Sequence, residues 1–196
     1  MDRICILGRD VLPERLALQG GESLRLTLVA LPGVSCDGVL TLDLDGAGCE
    51  VDLAGLYLCQ GDENVRLQIR LLHHAGGCRS RQLFKGIVGG QARVDFDGLI
   101  RVDPGAQKTE AYQEAHTILL SEQARISARP QLEIYADDVA CSHGATAGFL
   151  DPDAQFYMRS RGIPEAEARR LQMLSFLSPV LERLPQDLQN EITDRL

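Results

Sequence analysis

Asn64 to Leu72, NVRLQIRLL, is the stretch whose reading decides the fold. Val65, Leu67, Ile69 and Leu71 alternate with Arg66, Gln68 and Arg70. An extended chain sends successive side chains to opposite faces, so this period of two describes a strand with one apolar and one wet face. Working outward, VLTLDLDG (39–46) sets Leu40, Leu42 and Leu44 against Val39, Thr41 and Asp43, and LRLTLVA (24–30) and CEVDLAGLYL (49–58) lie further upstream. Downstream come QLFKGIV (82–88), ARVDFDGLIRV (92–102), HTILL (116–120), ARISA (124–128) and QLEIYA (131–136). These runs predict at least nine short strands punctuated by Gly, Asp or Asn, with no helical pattern between them. Parallel doubly wound sheets need crossover helices, so that class is excluded, leaving a sandwich, a barrel or a solenoid of stacked strands. Ile118, Ile126 and Ile134 fall eight apart, but earlier residues do not keep step, and periodicity alone leaves the topology open.

The composition agrees. At 196 residues the chain suffices for one ordinary domain plus a small appendage. Its residues are 44% apolar but only 5% aromatic, without Trp, so the core must be built from Leu, Val, Ile and Ala. A net charge of -8, with 20 basic residues dispersed among 28 acids, argues against a nucleic-acid partner. MDRICILGRDVLPERLALQ at the start lacks the layout of a secretory signal, and no window approaches the apolar length of a spanning helix. Cys5, Cys36, Cys49, Cys59, Cys78 and Cys141 lack zinc-ribbon or CxxC spacing, which predicts free thiols in a reducing, cytoplasmic setting.

The composition changes near Asp151, which divides the chain into a β-rich core over 1–150 and a helical domain over 151–196. Pro164 suits a first helical position, Glu165 and Glu167 favour the positive end of the helix dipole, and Ala168, Leu171, Leu174 and Leu177 join Met173 and Phe176 on an apolar face. Pro179 is expected to stop this helix. A last segment opens at Pro185 and places Leu188, Ile192 and Leu196 four apart.

Candidate chemistry is concentrated in PQLEIYADDVACSHGATAGFLDPDAQFYMRSRGI (130–163). Cys141 and His143, two apart on an extended strand, share a face. There a thiolate and an imidazole could meet iron or sulfur, and the imidazole could lower the thiol's pKa. A core thiol beside a turn-capping histidine fits the same spacing. Adjacent Asp137 and Asp138 point apart on a strand and read as a solvated turn. His73 and His74 are likewise adjacent, which suits one core and one surface histidine better than a metal pair. No GxxxxGKS/T, GxSxG or HExxH pattern is present, so the sequence gives kinase and hydrolase chemistry no foothold.

CRSRQLFKGI (78–87), QKT (107–109), LLS (119–121) and above all LEIYADDV, CSHGAT and FYMRSRGI, in that order and spacing, resemble the SufB/SufD family of iron-sulfur cluster assembly scaffolds, most closely its SufD branch. The resemblance implies a right-handed parallel β-helix followed by a C-terminal helical domain. Relatives carry a helical N-terminal region without a counterpart here. The resemblance also implies a non-catalytic subunit that pairs with a SufB-like scaffold and docks SufC, an ATPase of the ABC type. No cofactor is expected to be stably bound; a transient iron-sulfur cluster would form between subunits. His143 is the position implied to face that interface, with Cys141 as a second candidate, and both are implied as candidate transient metal ligands. Arg161, Gly162, Leu171 and Leu174 are implied to shape the ATPase contact. Alone, the chain is expected to form a homodimer. Two alternatives remain at this stage. One is a β-helix carbohydrate-active enzyme using Asp137, Asp138 and Asp151. The other is a cupin-like metal protein using His73, His74 and His116.

Overall fold

The computed structural model describes residues 2–196, in which eleven strands precede three helices. The strands are β1 (Asp2–Ile6), β2 (Arg15–Leu18), β3 (Ser23–Ala30), β4 (Cys36–Leu44), β5 (Glu50–Cys59) and β6 (Asn64–His73). They continue as β7 (Arg79–Val88), β8 (Arg93–Val102), β9 (Glu110–Leu119), β10 (Arg125–Ile134) and β11 (Ala140–Phe149). Odd strands form one sheet in the order β1-β3-β5-β7-β9-β11 and even strands the other, β10-β8-β6-β4-β2. All pairings between these strands are parallel. Alternate strands of the chain thus stack on alternate sheets. The result is a β-solenoid in which each turn comprises one odd strand, one even strand and their connections, and contacts mainly the turns before and after it.

Side-chain parity shows why the sequence folds this way. On β6, Val65, Leu67, Ile69, Leu71 and His73 are buried between the sheets, while Asn64, Arg66 and Arg70 face water. Odd strands read differently because much of their sheet's outer face is also covered. Ala54, Leu56 and Leu58 on β5 and Ile87 on β7 pack outward against Met173, Leu177, Val180, Leu184, Leu188 and Ile192 of the tail. The near-continuous apolar run LAGLYLC is therefore a strand buried on both faces. Inside, Phe84 and Phe96 meet across the sheets with ring centroids 4.6 Å apart, and Gly86 admits the Tyr57 ring, whose hydroxyl shares a 2.6 Å hydrogen bond with Thr117.

Three details correct the sequence reading. ARISA and QLEIYA are halves of one strand, β10; it is an edge strand, where the missing N–H of Pro130 is tolerated. HTILL is only the end of β9. The helices are α1 (Pro152–Ser160), α2 (Glu165–Leu181) and α3 (Gln186–Thr193), and Pro179 lies inside α2 without stopping it. A proline there removes one backbone donor, and the Ser178 hydroxyl supplies another by donating to the Ser175 carbonyl at 3.0 Å. Arg183 clamps the tail to the sheet through Asp52 at 2.7 Å, and Arg9 reaches Glu191 at 2.7 Å.

Candidate functional site

Cys141 and His143 lie on β11, the last strand of its sheet. Register sets Cys141 beside Ala111 and His143 beside Gln113. Parallel neighbours in register project to the same side, so both residues belong to the face that lines the solenoid interior. Ala111 and Gln113 are buried, but no later strand covers β11: His143 is exposed, and Cys141 is half-buried against the core. The two groups sit at the open end of the solenoid. Burial pushes the Cys141 thiol upward in pKa, against a smaller lowering by a hydrogen bond from the Ala111 backbone. Burial thus acts against the lowering that a neighbouring imidazole could supply. No hydrogen bond to the His143 ring forms among the described residues.

The other sequence candidates have separate places. His73 is buried, bonds the Ser80 hydroxyl at 3.0 Å, and burial lowers its pKa to about 4. His74 faces outward between Asp103 at 2.7 Å and Asp43 at 3.1 Å, and Arg15 grips Asp43 with contacts of 2.6 and 2.8 Å. With Asp45, Asp43 and His74 form the one grouping with metal-like spacing among the described residues, yet the facing atoms of Asp43 and His74 already serve an ion-pair lattice. His116 lies on β9, bonded to Thr146 at 2.8 Å and Glu114 at 3.2 Å. The three histidines do not converge as a cupin site requires. Nor do the acids of the hydrolase reading. Asp137 and Asp138 occupy the exposed turn before β11, where Asp138 pairs with Lys108. Asp151, beyond the far end of that strand, caps α1 by accepting from the backbone N–H of Asp153 at 2.9 Å. The whole extended length of β11 separates this acid from the other two, too far for a shared substrate bond.

In the tail, Arg161 caps the C-terminus of α1, with its guanidinium 5.1 Å from the Tyr157 ring centroid, and Gly162 supplies the positive φ, 87°, that ends the helix. Leu174 packs into the sheet–helix core; Leu171 is partly exposed on the rim of a shallow depression of about 570 Å³ that also includes Phe149, Met158 and Phe176. α1 buries none of its residues, leaving Phe156 74% and Tyr157 59% exposed. The sequence reading used FYMRSRGI as part of the family resemblance and did not single out these aromatics or Phe149 as surface. The available signal was FY on a short helix without an apolar stripe, in a chain poor in aromatics.

An uncovered C-terminal end with inward-facing Cys and His on its last strand, and a helical tail laid along one sheet, define the class of protein as a helix-tailed parallel β-solenoid. The family model described as "SUF system FeS cluster assembly, SufBD core domain" matches residues 14–176. The chain is 42% identical over 154 residues to the iron-sulfur cluster assembly protein SufD of Escherichia coli, covering 78% of this chain and 36% of that protein. Against SufD of Bacillus subtilis it is 35% identical over 145 residues, covering 74% and 33% respectively. The chain belongs to the SufB/SufD family and is SufD-like; it spans about a third of the length of these curated relatives. Among the described residues, no helix is long and apolar enough to cross a membrane.

Proposed function

We propose that this chain is a non-catalytic, SufD-like scaffold subunit of a cytoplasmic iron-sulfur cluster assembly complex. The observation that carries the reading is the open end of the solenoid. There β10 and β11 expose unpaired backbone edges, and His143 and Cys141 stand on the inner face with no further turn above them. An exposed edge of ten residues is a template for another chain. A SufB-like scaffold docked there would bring its own groups over His143, and the nascent cluster, the cargo of the complex, would be held between the subunits. His143 is the primary contact in this reading and Cys141 the second. No stably bound cofactor is required.

The SufC ATPase is assigned to the tail. Phe156, Tyr157 and Phe149 offer aromatic anchors of the kind that dominate binding surfaces, Arg161 and Gly162 fix the end of α1, and Leu171 lies on the rim above Leu174. Without partners, the same edge favours a homodimer. Co-expression with SufB-like and SufC subunits tests the assignment: a defined complex is expected on size exclusion. In that complex His143→Ala should leave assembly intact and reduce cluster formation, followed by visible absorbance. Failure to bind either subunit, or unimpaired cluster formation by the variant, would sink the proposal.

A further inference from the structure

Register makes one inner column of the odd-strand sheet unusual. Leu53, Gln82, Gln113 and His143 are successive neighbours on β5, β7, β9 and β11. The adjacent columns run Val51, Ser80, Ala111, Cys141 and Gly55, Phe84, Ala115, Ala145. A polar side chain therefore lies next to His143, while Cys141 and Ala145 have alanine neighbours. Gln113 is 1% exposed and Gln82 is 2% exposed, both within an otherwise mainly apolar interior. Gln113 Nε2 donates to Gln82 Oε1 at 2.9 Å. That bond orients the Gln113 amide and leaves its Oε1, fully buried, without a hydrogen-bond partner. The fold also makes room for this amide: a Cβ on Gly98 of the opposite sheet would lie 2.5 Å from Gln113 Nε2 and 2.6 Å from its Oε1. A buried acceptor without a donor is destabilising, and an apolar residue of similar volume would avoid the cost.

We infer that Gln113 is a positioning residue for His143: its spare Oε1 accepts the Nδ1–H of the imidazole when the ring turns inward over the open end. Adjacent strands stand about 4.8 Å apart, and Nδ1 is the ring nitrogen nearer the main chain, so it is the donor within reach of an acceptor in the neighbouring column. This bond fixes the neutral tautomer with Nε2 bare and directed out of the solenoid end. Histidines that ligate metals generally donate their other ring N–H to such an acceptor, which sets orientation and raises the basicity of the free nitrogen. Gln82 acts one step further back, holding the Gln113 amide with its oxygen free. The inference rests on the proposed role of His143 at the assembly interface and adds how this chain prepares that residue to receive iron or a cluster.

The test uses the full chain with ring-15N-labelled histidine at pH 8.5, with the His143 signals among the four histidines identified by their loss in His143→Ala. The wild type should show His143 predominantly as the Nδ1–H tautomer. Gln113→Leu should shift it to the Nε2–H-dominated mixture of a solvent-exposed imidazole without lowering the melting temperature, and Gln82→Leu should shift it part of the way. If Gln113→Leu does not fold, Gln113→Met, unbranched and also without an acceptor, carries the same readout. A tautomer ratio unchanged when the acceptor is removed overturns the inference and leaves the assembly role standing. A ratio that follows Gln113 supports the inference even if His143→Ala builds clusters normally, in which case the assembly role is what fails.

Discussion

His74→Ala should destabilise the solenoid most strongly near pH 5.5 and much less near pH 8.5. The ring follows β6 and spans two carboxylates: Asp43 on β4, gripped by Arg15 of β2, and Asp103 after β8, gripped by Arg101 at 2.9 Å. Four successive strands of one sheet are thus laced together by alternating charge. Partial burial pulls the His74 pKa down, but the two carboxylates together outweigh it and raise the value above 6.5. Asp103 is lowered from 3.8, chiefly by its bond from His74; despite its own burial, Asp43 is lowered by Arg15 and His74. A raised histidine contributes stability fully below its unfolded value, here 6.5, and loses it as pH climbs through the folded value. The depressed carboxylates contribute above 3.8 and lose their share as pH falls through their folded values. The lattice is complete between those limits. A hydrogen bond to a charged group is worth about 1.5–3 kcal/mol when well buried, but a third of the His74 side chain is exposed, so solvent screening brings the pair of bonds down to about 1 kcal/mol. For a chain of this size that corresponds to about 2–4 °C in melting temperature. Thermal unfolding of wild type and variant across this pH range measures it. A difference equally large at pH 8.5 would refute the reasoning, because the loss would then come from packing and not from the charged ring.

Gly86→Ala places a Cβ inside the volume of the buried Tyr57 ring, which its bond to Thr117 keeps from moving aside. Overpacking of this kind costs about 1–3 kcal/mol, and so severe an overlap should sit at or above about 3 kcal/mol in urea unfolding. A stability change below about 1 kcal/mol would mean that the ring is free to shift. Cys141 should react with iodoacetamide at pH 7.5 more slowly than free cysteine, because burial raises its pKa and half covers the sulfur. A faster reaction would show that His143 does activate it.

The alternation in NVRLQIRLL and VLTLDLDG predicts strands because these segments have one wet face, and the structure places them on the even sheet, whose outer face the tail does not cover. The stacking order is not legible in the same way. A solenoid pairs each residue with one about a turn away, and connections of unequal length, such as 60–63 and 103–109, remove any fixed repeat from the sequence. Pro130 made one edge strand read as two, and Pro179 read as a stop because the rescuing hydroxyl of Ser178 is a local contact that pattern does not carry. Cys141 and His143 could be placed on a common strand face from their spacing. Which face, and what lies beside it, required the register: Gln113 is a full turn earlier in the chain and reads in isolation as one polar residue of an alternating strand.

The two strands at the C-terminal end of the solenoid differ in a way that bears on how a partner would dock. β10 carries Arg125, Arg129 and Glu133 and contains Pro130, features that blunt an edge against pairing. β11, ACSHGATAGF, has ten residues with no Lys, Arg, Asp, Glu or Pro, and is built mainly from small side chains with glycine at 144 and 148. The tail does not protect it, since α2 folds back along β5 and β7 and leaves the solenoid end open. An isolated chain would carry such an edge as an aggregation liability, whereas a subunit that extends its odd-strand sheet into another chain has a use for it. On the proposed reading, the docking strand therefore pairs with β11 and not β10. Every second residue of β11, His143 among them, would then be enclosed on the inner face of the joined sheets, and the solvent that now reaches the imidazole would be replaced by the partner's own ligands.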